Sequence, residues 1–165
     1  MFIRNSAKAI IVSNGKILLN KNENDLGDCF LEIPVGAFYY DLPGGGQNKY
    51  ETVEDAVKRE CLEETGYIVE IERLAAIYEE ISVNPKFRES HPDYAHKMHF
   101  VFLCRLSDAD HPKVATEKDK GFIESEWIDI EKVPNVLLYP PIVNKNLQQI
   151  LKSEYPIYFG LTTWK

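Results

Sequence analysis

Three glutamates stand close together in one segment of the sequence, at Glu60, Glu63 and Glu64. On a helix, residues three and four positions apart are neighbours, so these carboxylates repel one another unless a cation lies among them. Carboxylate oxygens suit magnesium or manganese, which also bind substrate phosphates. Two such ions polarise a phosphoryl oxygen and lower the pKa of water. The three residues therefore favour metal-assisted hydrolysis of a phosphate compound.

The segment that carries them, residues 52–65, has the clearest helical pattern in the sequence. Thr52 followed by Asp55 matches a capping box at the start of a helix, and Gly66 is a typical helix stop. We therefore predict one helix over residues 52–65.

One face of this predicted helix changes from apolar to acidic along its length. Val53, Ala56 and Val57 share a face by helical spacing. The same stripe then reaches Glu60 and Glu64, at positions where a structural helix would place apolar side chains. The acidic groups are thus expected at the inward edge of the helix, where a cation would neutralise them.

A solvated helix face is the alternative interpretation of the glutamate cluster. Glutamates on helices usually face water. Glu63 has a further alternative, an ion pair with Arg59 one turn earlier in a ladder that includes Asp55. The spacing of the glutamates alone leaves both interpretations open.

The surrounding segment, residues 45–67, resembles the Nudix box of MutT-type hydrolases. It reads GGQNKYETVEDAVKRECLEETGY, with the expected residue at every fixed position of the box, namely Gly45, Glu51, Arg59, Glu60, Glu63, Glu64 and Gly66. Cys61 and Tyr67 occupy variable positions that are more often aliphatic, and both are apolar enough to keep the packing. The resemblance implies Mg2+- or Mn2+-dependent hydrolysis of a phosphoanhydride bond in a nucleoside diphosphate derivative.

The resemblance also implies a set of metal ligands. Glu60 and Glu64 match the principal ligands of the family, and Glu63 matches a further ligand or a contact made through water. The carbonyl group of Gly44 matches a backbone ligand. The predicted metal site therefore consists of Gly44, Glu60, Glu63 and Glu64.

Further residues complete the catalytic set that the resemblance implies. Arg59 matches the residue that orients the acidic cluster, by pairing with Glu51. In many relatives a glutamate near a later strand helps to activate the attacking water; Glu124 is the candidate here, and Glu117 is second. An exposed strand position is the alternative for Glu124. The predicted catalytic residues are Glu51, Arg59, Glu63, Glu64 and Glu124.

The composition is that of one globular domain. The chain has 165 residues and a formal net charge of -7, and its lysines and arginines form no long run. A nucleic-acid partner is therefore disfavoured, and a small nucleotide approached through a metal suits the acidic balance better. We expect a single domain over residues 1–165, with a homodimer left open.

The cysteines and the N-terminus bear on the compartment. Cys29, Cys61 and Cys104 form no C-x-x-C pair, which argues against a disulfide framework and a zinc ribbon. The N-terminal residues show no secretory signal, and no stretch approaches the roughly 20 apolar residues of a membrane span. These observations predict a cytoplasmic protein without membrane contact.

Strands are predicted on both sides of the central helix. Two apolar runs, 8–12 and 16–19, flank a turn signal at residues 13–15 and predict a hairpin. The triplet Gly44–Gly46 lacks the ending of a Walker loop, so we interpret it as a tight turn. The other expected elements are strands at 37–41, 68–83, 98–106 and 123–130, loops at 20–27 and 84–97, a helix at 142–153 and an aromatic tail.

This order of elements predicts an α/β (α+β) fold, with a mixed β-sheet core sandwiched between helices. The resemblance implies the same Nudix fold.

Histidines and aromatic residues supply candidates for substrate contact. His96 and His99 are three apart, a spacing that places them on opposite faces of a strand, so a zinc site is disfavoured. Either residue, or His91, is instead a candidate to meet a phosphate or a base. The candidates for stacking against a base are Tyr78, Phe87, Tyr94 and Tyr139, although such residues more often belong to a core.

The sequence leaves the substrate open. Sugar nucleotides such as ADP-ribose, nucleoside triphosphates, dinucleoside polyphosphates and capped RNA ends are all candidates, because the box matches only a diphosphate and its metal. The alternative from a different class is a Nudix-like sensor domain that binds a nucleotide without hydrolysing it. Such domains tend to lose box glutamates, whereas this chain retains all of them.

Overall fold

A computed structural model describes residues 3–24, 33–107 and 121–164. The strands in these ranges are β1 (Arg4–Ser13), β2 (Lys16–Glu23), β3 (Phe38–Asp41), β4 (Gly44–Gly46), β5 (Val69–Ser82), β6 (His96–Leu106), β7 (Phe122–Asp129), β8 (Leu138–Tyr139) and β9 (Ile157–Trp164). The helices are α1 (Val53–Thr65), α2 (Pro85–Ser90) and α3 (Pro141–Lys152), with a 3-10 helix at Ile130–Asn135. Within the same ranges, no helix has the length and apolar character needed to cross a membrane.

The strands form a mixed sheet with β1 at its centre. The strand order along the main path is β8-β3-β2-β1-β6-β5-β9, while β4 pairs with β1 and β7 pairs with β2. β1 runs parallel to β6 and antiparallel to β2 and β4. The predicted hairpin is β1 and β2, and the predicted mixed sheet is confirmed.

Each face of the sheet is covered by one long helix, because alternate residues of β1 point to opposite sides. On one side Ile10 belongs to a core that includes Leu147 and Ile150 of α3. On the other side Ile11 belongs to a core that includes Val57 of α1. The sheet is therefore sandwiched between α1 and α3, as predicted, and burial of such side chains stabilises the sandwich by about 1.5–3 kcal/mol each.

Helix α1 begins and ends where the sequence predicts. The Thr52 hydroxyl accepts a hydrogen bond from the Asp55 backbone N–H at 3.0 Å and donates to the Asp55 carboxylate at 2.7 Å. Gly66 ends the helix with a left-handed φ of 75°, and its N–H donates to the Leu62 carbonyl. The two caps fix the rotation of α1 and therefore the direction of its acidic edge.

Two predictions around the sheet centre were wrong. The loop expected at residues 20–27 is part of β2 as far as Glu23, because the buried amides of Asn20 and Asn22 make side-chain hydrogen bonds instead of facing water. The tight turn expected at the glycine triplet is the strand β4, whose pairing with β1 uses backbone groups alone. Neither element has the apolar alternation on which strand prediction depends.

Two predictions at the far side of the sheet were also incomplete. The loop expected at residues 84–97 contains α2, which Asn84 caps through its side chain and which begins at Pro85. The aromatic tail contains β9, which pairs in parallel with β5.

Candidate active site

Arg59 connects three carboxylates of the predicted site. Its Nε and Nη2 donate to the two carboxylate oxygens of Glu51 at 2.8 and 3.0 Å. Its Nη1 donates to Glu60 and to Glu63, both at 2.8 Å, and Nη2 also reaches the Gly46 carbonyl. The bonds to Glu51 are the main reason why the pKa of Arg59 is raised and that of Glu51 is lowered. One guanidinium thus fixes the positions of three acidic side chains.

Glu64 lies on the same helix but outside the reach of Arg59. Its Oε2 accepts hydrogen bonds from the Gly44 backbone N–H and from the Asn20 side-chain amide, both at 2.8 Å. Burial raises its pKa to about 7, although the positive charge of Lys8 acts in the opposite direction. A partly buried carboxylate of this kind is stabilised in its charged form by a nearby cation.

Glu60 packs directly against the backbone of β4. Burial raises its pKa, and the charge of Arg59 only partly offsets this. A Cβ atom on Gly45 would lie 2.5 Å from the Glu60 carboxyl carbon, so no side chain can be accommodated there without moving the carboxylate. The absence of a side chain at Gly45 therefore leaves the space that the Glu60 carboxylate occupies.

The chemistry of these donors fits a hard divalent cation. In the part of the chain that the structure describes, Oε2 of Glu60 and Oε1 of Glu64 accept no hydrogen bond. In that same part, no three His, Cys, Asp or Glu side chains converge on one point. Magnesium does not require three, because waters and substrate phosphates usually complete its shell around one or two carboxylates. A pair of carboxylates such as Glu60 and Glu64 is compatible with this ligand number, and their metal-binding roles stay predictions.

The other two predicted ligands have different partners. The Gly44 carbonyl accepts a hydrogen bond from Lys8 Nζ, which also donates to the Leu42 carbonyl. The Glu63 carboxylate pairs with Arg59, which is the alternative considered from the sequence. The series of ion pairs expected along the helix does not include Asp55, whose carboxylate accepts a hydrogen bond from the Thr52 hydroxyl. The metal-binding roles of Gly44 and Glu63 stay predictions.

Glu124 is not brought together with the acidic cluster. Glu124 and Ser125 are neighbours on β7, so their side chains point to opposite faces of the sheet. Ser125 Oγ donates to the Asn20 side chain at 2.7 Å, and Asn20 in turn donates to Glu64. Glu124 therefore faces away from Glu64 and is exposed, as in the alternative interpretation. The second candidate, Glu117, lies outside the described residues.

Two polar residues that were not predicted from the sequence, Lys8 and Asn20, contact this region. The run at residues 8–12 predicts an apolar strand that includes Lys8, and the run at residues 20–27 predicts a loop that includes Asn20. Both lie on strands near Gly44. Asn20 donates directly to Glu64, whereas Lys8 donates to the carbonyl of Gly44, whose N–H donates to Glu64. A polar residue within or next to an apolar strand could have indicated these contacts, because a buried polar group requires a hydrogen-bond partner.

The candidate base-contacting residues separate into two groups. Tyr78, Tyr139 and His99 line a cavity next to Lys8. Phe87 instead belongs to a separate core with Trp164, and the ring of Tyr94 contacts Arg4, while His91 stacks on Phe87. His96 and His99 lie on opposite faces of β6, where they pair with Glu79 and Glu80 respectively.

Comparison with known proteins agrees with the geometry. The family model described as the NUDIX domain matches residues 3–150. The chain is 30% identical over 128 residues to the ADP-ribose pyrophosphatase of Methanocaldococcus jannaschii, covering 77% of this chain and 62% of that protein. It therefore spans less than two thirds of the length of that relative.

Two solved structures share the fold. A NUDIX hydrolase from Nitrosomonas europaea gives a TM-score of 0.65 at 21% identity, covering 89% of this chain and 87% of that chain. An ADP-ribose pyrophosphatase from Streptococcus suis gives a TM-score of 0.61 at 23% identity, covering 95% and 99%. The family model matches most of this chain, and the chain shares a mixed sheet between two helices with these structures. The chain therefore belongs to the Nudix family.

Proposed function

We propose that this chain hydrolyses a phosphoanhydride bond in a nucleoside diphosphate derivative, with Mg2+ or Mn2+ as its cofactor. The observation that carries the proposal is the pair Glu60 and Glu64, two carboxylates whose pKa values burial raises. Each retains one oxygen without a hydrogen-bond donor among the described residues. A divalent cation shared with a pyrophosphate is the partner that compensates such groups.

Each side chain of the box has a role in this proposal. Bound magnesium supplies positive charge at the pyrophosphate and lowers the pKa of water. Glu60 and Glu64 hold the ion. Glu51 fixes the position of Arg59, and Arg59 in turn fixes the carboxylate of Glu60. Arg59 also binds Glu63, which is the further carboxylate proposed to contact the ion or the attacking water.

The Gly44 peptide group completes the arrangement. Its N–H donates to Oε2 of Glu64, which leaves Oε1 as the oxygen available for the ion. Its carbonyl group, the remaining predicted ligand, lies next to the ammonium group of Lys8. Lys8 is thus a positive charge close to the position proposed for the pyrophosphate.

A sugar nucleotide of the ADP-ribose type is the first substrate class to test. The Methanocaldococcus jannaschii relative and the Streptococcus suis structure are both named ADP-ribose pyrophosphatases. The net charge of -7 favours a small nucleotide over an RNA end. The single domain and the cytoplasmic location expected from the sequence stay predictions.

The test is a panel assay of purified protein that has been freed of metal with a chelator. ADP-ribose, nucleoside triphosphates, dinucleoside polyphosphates and capped RNA are incubated with Mg2+ or Mn2+, and released phosphate is measured after coupling to a phosphatase. We expect turnover that Glu64→Gln abolishes. Glu54→Gln, at an exposed position of the same helix, is the matched control and should retain turnover.

The result that contradicts the proposal is the absence of metal-dependent turnover on every compound. Binding of a nucleotide without turnover would indicate the sensor alternative instead.

A further inference from the structure

A cavity of about 110 Å³ lies next to Lys8, and two of its lining residues, Leu42 and Tyr78, belong to the core on the α3 side of the sheet. One part of its wall is aromatic and apolar, formed by residues such as Tyr139 and Leu42. Pockets that enclose a complete small ligand usually measure about 300–1,000 Å³. The cavity is therefore large enough for one ring system and too small for a whole nucleotide.

Among the residues that the structure describes, two side chains in this cavity have a polar atom without a hydrogen-bond partner. The hydroxyl group of Tyr78, a residue with 1% of its surface exposed, is unbonded. Nδ1 of His99 likewise has no partner among those residues, whereas Nε2 faces a Glu80 carboxylate oxygen at 3.4 Å. The two rings stack with their centroids 4.4 Å apart, which holds both in place. Buried polar groups without partners are rare in native proteins and call for a specific explanation.

The charged groups of the cavity cancel in pairs. Lys97 Nζ lies 3.6 Å from Glu80, and Lys8 Nζ lies 3.6 Å from Asp41. Burial by itself would raise the pKa of Glu80, but His99 and Lys97 bring it down to about 2, so this carboxylate is ionised at neutral pH. A cavity without net charge does not favour a phosphate group.

The cavity is adjacent to the acidic cluster through one peptide group. Lys8 lines the cavity and donates to the Gly44 carbonyl, while the Gly44 N–H donates to Glu64. A nucleotide with one end in the cavity would therefore have its phosphates close to β4 and to Glu64. This step rests on the function proposed above.

We propose that the cavity binds the nucleobase of the substrate, and that Tyr78 and His99 are the residues that hydrogen-bond to its polar edge. A base has flat apolar faces and an edge that carries both donors and acceptors, which suits aromatic walls beside neutral polar groups. Glu80 supplies a fixed acceptor and Lys97 a fixed donor, whereas the hydroxyl and the imidazole can each act in either sense.

The test uses ligands that have no anhydride bond to cleave. Binding of AMP, GMP, CMP and UMP to the full-length, metal-free chain is measured by titration calorimetry and compared with ribose 5-phosphate, which has the same sugar and phosphate but no base. We expect at least one nucleotide to bind tenfold or more tightly than ribose 5-phosphate. Tyr78→Phe should weaken that nucleotide by roughly 3- to 10-fold and leave ribose 5-phosphate unchanged.

A second measurement separates recognition from a structural role. Because the Tyr78 hydroxyl has no partner among the described residues, Tyr78→Phe should keep or raise the Tm while it lowers nucleotide affinity. Tyr155→Phe, at a tyrosine that is 75% exposed and outside the cavity lining, is the control and should change neither quantity.

Three results would overturn the inference: equal binding of all five ligands, equal affinities of the Tyr78→Phe and Tyr155→Phe proteins, or a Tm loss in Tyr78→Phe. If the wild type hydrolyses a nucleotide while Tyr78→Phe leaves every affinity unchanged, only the base site fails. If the affinities change as expected but no compound is hydrolysed, only the proposed function fails.

Discussion

Replacement of Glu64 by glutamine has opposite expected effects on activity and on the stability of the metal-free protein. Glu64 is partly buried and bonded to Gly44 and Asn20, and its pKa is raised from 4.5 to about 7, mainly by the partial loss of contact with water. Glutamine has nearly the same shape, and its carbonyl oxygen can accept both hydrogen bonds that Glu64 Oε2 accepts now. The substitution therefore removes a partly buried charge without leaving the two donors unpaired.

The size of the stability effect follows from the two pKa values. Between pH 4.5 and 7 the folded protein keeps a proton that the unfolded chain has released, so the stability of the wild type falls as pH rises through this window. The two values differ by about 2.5, which corresponds to a loss of roughly 3 kcal/mol above pH 7. Glutamine has no such proton, so Glu64→Gln should be more stable than the wild type by roughly 3 kcal/mol at pH 8 and by less than about 1 kcal/mol at pH 5.

Urea unfolding in the presence of a chelator measures this difference at both pH values. A gain of about 3 kcal/mol would also raise the Tm by roughly 6–12 °C in a chain of this size. Turnover with Mg2+ should be lost in the same variant. An equal stability difference at pH 5 and pH 8 would contradict a raised pKa of Glu64, and unchanged turnover would contradict its catalytic role.

Further predictions concern the metal, Arg59 and two glycines. Mg2+ at about 100 times its Kd should stabilise the wild type by about 2.7 kcal/mol in thermal unfolding, and Glu64→Gln should lose most of this gain. Arg59→Lys cannot keep the paired bonds to Glu51, so urea unfolding should show a loss of about 1–3 kcal/mol. Gly45→Ala places a methyl group against the Glu60 carboxylate and should lower kcat on the order of 100-fold while circular dichroism stays unchanged. Gly66→Ala strains a left-handed residue and should lower the unfolding free energy by about 1–2 kcal/mol without changing KM.

Helix α1 could be predicted from the sequence because its determinants are local. The Thr52 cap, the Gly66 stop and the apolar stripe through Val57 all act within a few residues of one another. They fix which face of the helix packs on the sheet, and therefore which glutamates lie at the buried edge. The pairing of Arg59 with Glu51 followed from the family motif rather than from spacing.

The remaining parts of the site depend on contacts between distant residues. Asn20 is buried because it bonds to Glu64, which is 44 positions away, and this contact extends β2 where the sequence predicts a loop. Glu124 faces away from the cluster because of the register between β2 and β7, and a shift of one residue would have reversed its side. The base-sized cavity combines residues of β1, β5 and β6, so no single segment indicates it.

The strand β4 shows why three consecutive glycines stand before the helix. Its backbone is approached from both faces: the space beside Gly45 is taken by the Glu60 carboxylate, and the space beside Gly46 by the Arg4 guanidinium. Gly44 lies so close to β1 that a Cβ atom would collide with the Ala7 carbonyl. The peptide groups left bare in this way donate to Glu64 and accept from Lys8 and Arg59. A residue with a side chain would separate the acidic cluster from the strand that positions it, so the glycines are as necessary to the proposed site as its carboxylates.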